Sequence, residues 1–133
     1  SRSIGTGLFL GLVMCVALAT SAGAKEAPTV SVGSWSYDAA THDIRASGVD
    51  WTGVRADSAC IVVAQPGASG ASGFLCNNLR ARDNKSPQNW IIDSTAFTPS
   101  SGTTYDLSVV LHKGTATVAT SATVQIVGGT NYP

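Results

Sequence analysis

A period of two in the apolar side chains near the end of this 133-residue chain is the feature that most limits its fold. Apolar residues occupy every second position of residues 105–111, and the same period returns over residues 118–126, after a Lys113-Gly114 pair. A period of two places successive side chains on opposite faces of a β-strand, and a short glycine-containing link between two such runs is typical of a hairpin. The sequence therefore predicts a β-hairpin over residues 105–126.

Turn residues divide the chain between Pro28 and that hairpin at the eight-to-twelve-residue spacing of β-sandwiches and barrels. Gly33 changes the phase of the alternation in the first segment, which predicts a β-bulge there. With the hairpin, the prediction is an all-β domain of seven strands. The five strands that precede the hairpin are expected at residues 29–37, 42–48, 59–65, 74–79 and 90–93.

A different pattern occupies the start of the chain. Residues 4–24 contain no charged side chain and, as a helix, are about 31 Å long, close to the hydrocarbon thickness of a bilayer. The G-x-x-x-G spacing within this segment lets a second membrane helix approach closely. We therefore predict a transmembrane anchor at residues 1–24 and an exported domain at residues 25–133. Small residues for helix packing recur every four positions, at Gly7, Gly11, Cys15, Ala19 and Gly23.

The same segment also fits a cleaved secretory signal peptide. Arg2 precedes an apolar core at residues 8–19, and Ala22-Gly23-Ala24 matches an A-x-A cleavage site. That interpretation makes residues 25–133 a secreted domain. A lipid anchor at Cys15 is a weaker alternative, because a bulky methionine precedes the cysteine. If the helix is retained, Arg2 places the N-terminus in the cytoplasm and the domain in the periplasm or outside the cell.

The two cysteines beyond this segment indicate the compartment. Cys60 and Cys76 follow an export-type segment and are therefore expected to form a disulfide in an oxidising environment, with two buried thiols as the alternative. A bridge with 15 residues between its ends is worth roughly 3 kcal/mol in the chain-entropy model. Cys15 is expected to remain a thiol.

Charge and motif content exclude several functions. Eight basic residues balance eight acidic ones, so the chain lacks the electrostatic footprint of a nucleic-acid-binding protein. His42 and His112 fall at predicted strand positions that point toward solvent, and their acidic neighbours in sequence point the opposite way. The sequence contains no G-x-S-x-G motif and no phosphate-binding loop. We expect a non-catalytic protein without a metal or a cofactor.

Two places are candidates for binding a partner. Trp51 lies in residues 48–53, which are predicted to form a loop, so its ring is expected to be exposed; core packing is the competing interpretation. Arg80 and Arg82 form a basic cluster in the polar segment 80–88. That cluster is suited to docking on a protein or on lipid headgroups, unless it is simply a solvated loop.

The stretch SGTTYDLSVVLHKG, residues 101–114, resembles the penultimate strand of fibronectin-type-III and related immunoglobulin-like domains. Tyr105 follows the Gly102 turn like the tyrosine corner of those folds, whose hydroxyl bonds back to the preceding loop. The likeness extends as a pattern over residues 28–127, although the cysteines are closer in sequence than the inter-sheet pair of immunoglobulin domains. The resemblance implies a seven-stranded immunoglobulin-like sandwich with an adhesive, structural or spacer role.

These features predict a non-catalytic accessory subunit, anchored by one membrane helix, that scaffolds a larger membrane complex such as a photosynthetic or other energy-converting assembly. Its expected partners are transmembrane helices and other subunits of that complex. The alternative is a secreted or cell-surface adhesion module that binds glycan or protein through Trp51. A pilin-like filament subunit is a variant of that alternative.

Overall fold

The structure is a computed structural model that describes residues 27–85 and 89–133. This part of the chain is all-β, as predicted, and its strands form two antiparallel sheets in a β-sandwich-like arrangement. The expected count of seven strands is wrong, because the described residues contain eight. The strands are β1 (Thr29–Asp38), β2 (Asp43–Thr52), β3 (Ser58–Ala64), β4 (Gly73–Asn78), β5 (Trp90–Ser94), β6 (Thr104–Lys113), β7 (Ala116–Thr120) and β8 (Val124–Val127). A short 3-10 helix, Ala81–Lys85, follows β4.

One sheet has the strand order β1-β2-β5, and the other has the order β4-β3-β6-β7, with β8 also paired to β6. Alternate residues of each strand face the opposite sheet, since the pleat turns successive side chains to opposite sides. The inward-facing side chains form a single hydrophobic core. Its largest buried members are Trp51, Tyr37, Ile44, Ile61, Ile92, Leu107, Leu111 and Ile126.

The eighth strand comes from a break in the return arm of the predicted hairpin. The arm is divided into β7 and β8, and Ser121 lies buried at the break. The Ser121 N–H donates to the carbonyl oxygen of Val109 (2.8 Å), and the Ser121 hydroxyl accepts from the Val109 N–H (2.9 Å). The serine hydroxyl thus takes the place of a backbone carbonyl in the ladder, because serine side chains can compete with the backbone for its hydrogen bonds. Hydrophobic alternation carries no signal for such a replacement.

The phase change predicted at Gly33 is present, but the bulge lies elsewhere. The register between β1 and β2 is the same on both sides of Gly33, with Val32 opposite Val49 and Ser34 opposite Ser47. The irregularity is instead between β2 and β5, where the register shifts between Ala46 and Val49. In β1 the buried positions are even-numbered before Gly33 and odd-numbered after it, and in β2 they change in the same way after Ala46. Both strands therefore keep one face toward the core along their whole length.

Tyr105, near the start of β6, makes the backward hydrogen bond expected of it. The backbone N–H of Ser100 donates to the phenol oxygen at 3.0 Å. The ring of Phe97 meets the Tyr105 ring edge-on, with centroids 5.5 Å apart. Hydrogen bonds with Ser100, and then with Thr103, hold the pKa of the Tyr105 phenol below its usual value, while desolvation acts in the opposite direction.

We expect Tyr105→Phe to lower the free energy of unfolding by about 1–3 kcal/mol, because the Ser100 N–H loses its acceptor while the ring packing remains. Urea denaturation followed by tryptophan fluorescence measures the change. Tyr132→Phe is the matched control, since the Tyr132 hydroxyl bonds to none of the described residues. Equal losses in the two variants would contradict a specific role for the Tyr105 hydroxyl.

Candidate functional site

One end of the sandwich contains the point where the chain enters the domain. Ala27 and Pro28 lie against Gly53, and β1 begins there at Thr29, opposite Thr52 at the end of β2. The start of β3 and the end of β4 and β6 are at the same level, because Ser58 is opposite both Asn78 and His112. We call this region the entry end. It comprises residues 27–29, 52–58, 78–84 and 112–114.

Exposed basic side chains gather at the entry end. Arg55 and Arg80 come from two connections of the fold and Lys113 from the end of β6, and the three residues line a cleft of about 260 Å³. Arg82 lies beside them on the 3-10 helix with 72% of its side chain exposed. The predicted cluster of Arg80 and Arg82 is therefore part of a larger basic surface, to which Arg55 and Lys113 also belong. We call these four residues the basic cluster.

The acidic residues next to the basic cluster are engaged with the backbone. The Asp57 carboxylate accepts a hydrogen bond from the Gly114 N–H at 2.6 Å. The Asp83 carboxylate accepts one from the Arg80 N–H at 2.7 Å and lies 4.0 Å from the Arg82 guanidinium. Both carboxylates thus help to hold the turns at this end, and the guanidinium groups remain open to solvent.

The opposite end of the sandwich is acidic, and we call it the distal end. Among the described residues, its single basic side chain is Arg45, which pairs with Asp93 at 3.2 Å and with Asp43 at 3.5 Å. Asp38 and Asp106 lie toward the same end, since β1 ends there and β6 begins there. Charge is therefore polarised along the strand direction in a domain that is nearly neutral as a whole.

Trp51 is not exposed, and the predicted loop at residues 48–53 is wrong. β2 continues through Thr52, and the Trp51 side chain is buried in the core with 2% of its surface exposed. Its ring packs against Trp90, with centroids 6.1 Å apart, and its indole N–H donates to the Asn84 side-chain oxygen at 3.2 Å. The alternative prediction, that Trp51 packs in the core, is therefore confirmed. A buried ring offers no surface for stacking on a sugar.

Asn84 attaches the basic cluster to the core, a role that no sequence pattern predicts. Its side-chain oxygen accepts from the Ala56 N–H at 2.9 Å as well as from Trp51, and its amide nitrogen donates to the carbonyl oxygens of Ala56 (3.0 Å) and Arg80 (3.3 Å). These bonds hold the 3-10 helix against the link between β2 and β3. The sequence around Asn84 contains no signal for this arrangement, because Ala56 and Trp51 are 28 and 33 residues away.

The predicted disulfide between Cys60 and Cys76 is present. The two residues are directly opposite each other in neighbouring strands β3 and β4, with Cα atoms 4.0 Å apart. They face outward, since they alternate with Ile61 and Leu75, which belong to the core. The bridge therefore joins two strands of one sheet on its outer surface.

One of the two histidines differs from its expected position. His112 is half-buried, and its Nδ1 lies 3.6 Å from the Cys60 sulfur. His42 lies in the turn before β2 with φ of 63°, and its buried Nδ1 has no partner among the described residues. The expected strand position is wrong for His42, whereas His112 lies on β6 and projects from the outer face of the sheet, as expected. No group of three potential metal ligands is found within residues 27–85 and 89–133.

The predicted helix-packing positions lie outside the described residues. These are Gly7, Gly11, Cys15, Ala19 and Gly23. Within the described ranges, no helix has the length and apolar character needed to cross a membrane. Comparison with protein-family models and with curated proteins finds no significant match.

Proposed function

We propose that this protein is a non-catalytic accessory subunit of a membrane protein complex, anchored by one helix at residues 4–24 with its β-sandwich in the periplasm or outside the cell. The observation that carries the proposal is the position of the basic cluster at the entry end. The chain reaches the domain at that end, directly after the apolar segment. The basic cluster therefore faces the membrane surface.

The short link supports this orientation. Four residues, Lys25 to Pro28, separate the apolar segment from Thr29. A fully extended link of that length spans at most about 14 Å. The screening length at physiological ionic strength is about 8 Å. A link of this length lets the basic cluster approach to within one screening length of the headgroups, and at such distances each basic residue contributes about 1 kcal/mol of attraction to anionic lipid.

The apolar segment supplies the contact with the complex. Its small residues form a stripe along one helix face, which allows close packing against another transmembrane helix. A cleaved signal peptide has no need of such a face. The exported domain then positions or spaces neighbouring subunits.

We further infer that the sandwich is of the immunoglobulin-like, fibronectin-type-III-like kind. Two observations support this: a three-stranded sheet opposite a sheet in the order β4-β3-β6-β7, and the hydrogen bond from Ser100 to the Tyr105 hydroxyl. The disulfide departs from the immunoglobulin pattern because it joins neighbouring strands of one sheet. Domains of this kind serve as adhesive, structural or spacer modules, which agrees with an accessory role.

The first test is the intact mass of the native protein extracted from membranes. We expect residues 1–24 to be retained and the protein to resist alkaline extraction, as an integral membrane protein does. A mature chain that begins at Lys25 and is found in the soluble fraction would contradict the anchor and support the secreted alternative.

The second test addresses the basic cluster with hydrogen exchange of the full chain in nanodiscs. We expect residues 78–84 to exchange more slowly with phosphatidylglycerol present than in neutral lipid, and Arg82→Glu to reduce that protection about fivefold. Arg45→Glu makes the same charge change at the distal end and is expected to leave the protection intact. Equal exchange in anionic and neutral nanodiscs would contradict the proposed orientation.

A further inference from the structure

The two cysteines of the disulfide differ greatly in their exposure to solvent. Cys60 lies in the central strand β3 opposite Val110 of β6, and only 1% of its surface is exposed. Cys76 is exposed on β4, together with Phe74, which is 59% exposed on the same face. Among the described residues β4 pairs only with β3, so it is an edge strand.

This arrangement permits attack on one sulfur and blocks attack on the other. Thiol–disulfide exchange proceeds by attack of a thiolate on one sulfur, opposite the sulfur that leaves. Because the cysteines are opposite each other across the ladder, the direction from Cys60 to Cys76 leads toward the free edge of β4. A thiolate can reach Cys76 from that edge. The equivalent approach to Cys60 is occupied by β6 and the side chain of Val110.

The surroundings of Cys60 suit a departing thiolate. A thiolate without a partner is costly in a buried position, and a neighbouring protonated imidazole stabilises it. The Nδ1 of His112 lies 3.6 Å from the Cys60 sulfur, and the Ser58 hydroxyl lies 4.0 Å from it. All three side chains project from the same outer face of the sheet, since Ser58 is opposite His112 in the ladder.

We infer that the Cys60–Cys76 bridge is an exchangeable disulfide whose reactive sulfur is that of Cys76. A thiolate, from a low-molecular-weight thiol or a protein cysteine, attacks Cys76; the S–S bond breaks, and Cys60 leaves as a thiolate that accepts a hydrogen bond from the His112 ring and then takes up a proton. A second thiol then attacks the incoming sulfur of the mixed disulfide and releases Cys76. Two thiols are oxidised to a disulfide, and the bridge gains two electrons and two protons.

The fold does not depend on the closed bridge for this exchange. β3 and β4 are paired over six residues, from Ser58–Asn78 to Val63–Gly73, and Leu75 packs in the core, so backbone hydrogen bonds and apolar contacts hold the two strands together in addition to the S–S bond. The reaction therefore takes place in the native state. A bridge with both sulfur atoms inaccessible, in contrast, reacts only after the domain unfolds.

The site of attack is tested on the full chain in detergent, with Cys15→Ser to remove the third thiol. The protein is incubated with reduced glutathione, quenched with acid and mapped by mass spectrometry. We expect a glutathione adduct on Cys76 in at least about tenfold excess over Cys60, with unchanged tryptophan fluorescence. Adducts divided evenly between the two cysteines, or formed only in guanidinium, would overturn the inference.

The role of His112 is tested by the rate of the same reaction. We expect His112→Gln to slow adduct formation at neutral pH about fivefold and to flatten its pH profile, because the leaving thiolate loses its partner. His42→Asn removes the other histidine at the distal end, with a residue that tolerates the positive φ of that position, and is expected to keep the native rate. Equal rates in all three proteins would overturn the role of His112.

Discussion

Trp51→Ala is expected to lower the free energy of unfolding by about 3–5 kcal/mol, which is the usual cost of removing a fully buried aromatic side chain. The Trp51 ring is 2% exposed and fills the space between the sheets beside Trp90. Its loss leaves a cavity and also leaves the Asn84 side-chain oxygen without its indole partner. Chemical denaturation with circular dichroism measures the change.

Trp90→Ala is the matched control for that prediction. Trp90 is half-buried at the start of an edge strand, so its removal is expected to cost clearly less than the removal of Trp51. A Trp51→Ala variant as stable as the parent would mean that the ring is exposed, as the adhesion hypothesis requires. Equal losses in the two variants would contradict the central position of Trp51 in the core.

Gly128→Ala is expected to destabilise the domain by about 3 kcal/mol, because a methyl group has no room there. A Cβ at Gly128 would overlap the carbonyl oxygen of Ser100. The backbone cannot move aside easily, since the Gly128 N–H donates to Thr103 (2.9 Å) and the Gly128 carbonyl accepts from Gly102 (2.8 Å). The same overlap would displace the loop that donates to Tyr105.

Gly70→Ala is the control for the methyl group itself. No heavy atom lies within 4 Å of a Cβ built at Gly70, and its φ is outside the left-handed region. Its effect on unfolding is therefore expected to stay within about 0.5 kcal/mol. Thermal unfolding of the two variants side by side distinguishes a local steric clash at Gly128 from a general effect of replacing glycine. Similar melting temperatures would contradict the clash.

The local pattern of apolar and polar residues was sufficient to predict the positions of most strands. The alternation of β6 and the apolar run of β3 predicted both strands to within two residues at each end, because burial of strand faces leaves a local pattern of apolar side chains. Adjacent placement of β3 and β4 then brought Cys60 and Cys76 together, as expected. The predicted end of β2 was wrong because the glycine at position 48 reads as a turn, whereas the strand passes through it with φ of 62°.

The membership of the basic cluster could be recognised only in the tertiary structure. The sequence contains the pair Arg80 and Arg82 as neighbours, but Arg55 and Lys113 join them only because β2, β3, β4 and β6 start or end at the same level. The separation of basic residues at the entry end from acidic residues at the distal end follows from the same strand pairings. No local pattern encodes which end of one strand lies beside which end of another.

The sequence by itself determined that the chain beyond Pro28 is an all-β domain with a disulfide, since side-chain period and cysteine content are local properties that survive in any packing of the strands. The tertiary structure alone decided that Trp51 is core, that Ser121 divides the last arm, that Asn84 fixes the basic cluster, and that His112 lies beside Cys60. Each of these depends on a contact between residues 12 to 52 positions apart. Such contacts are selected by strand order and register, which the alternation of a single strand does not specify.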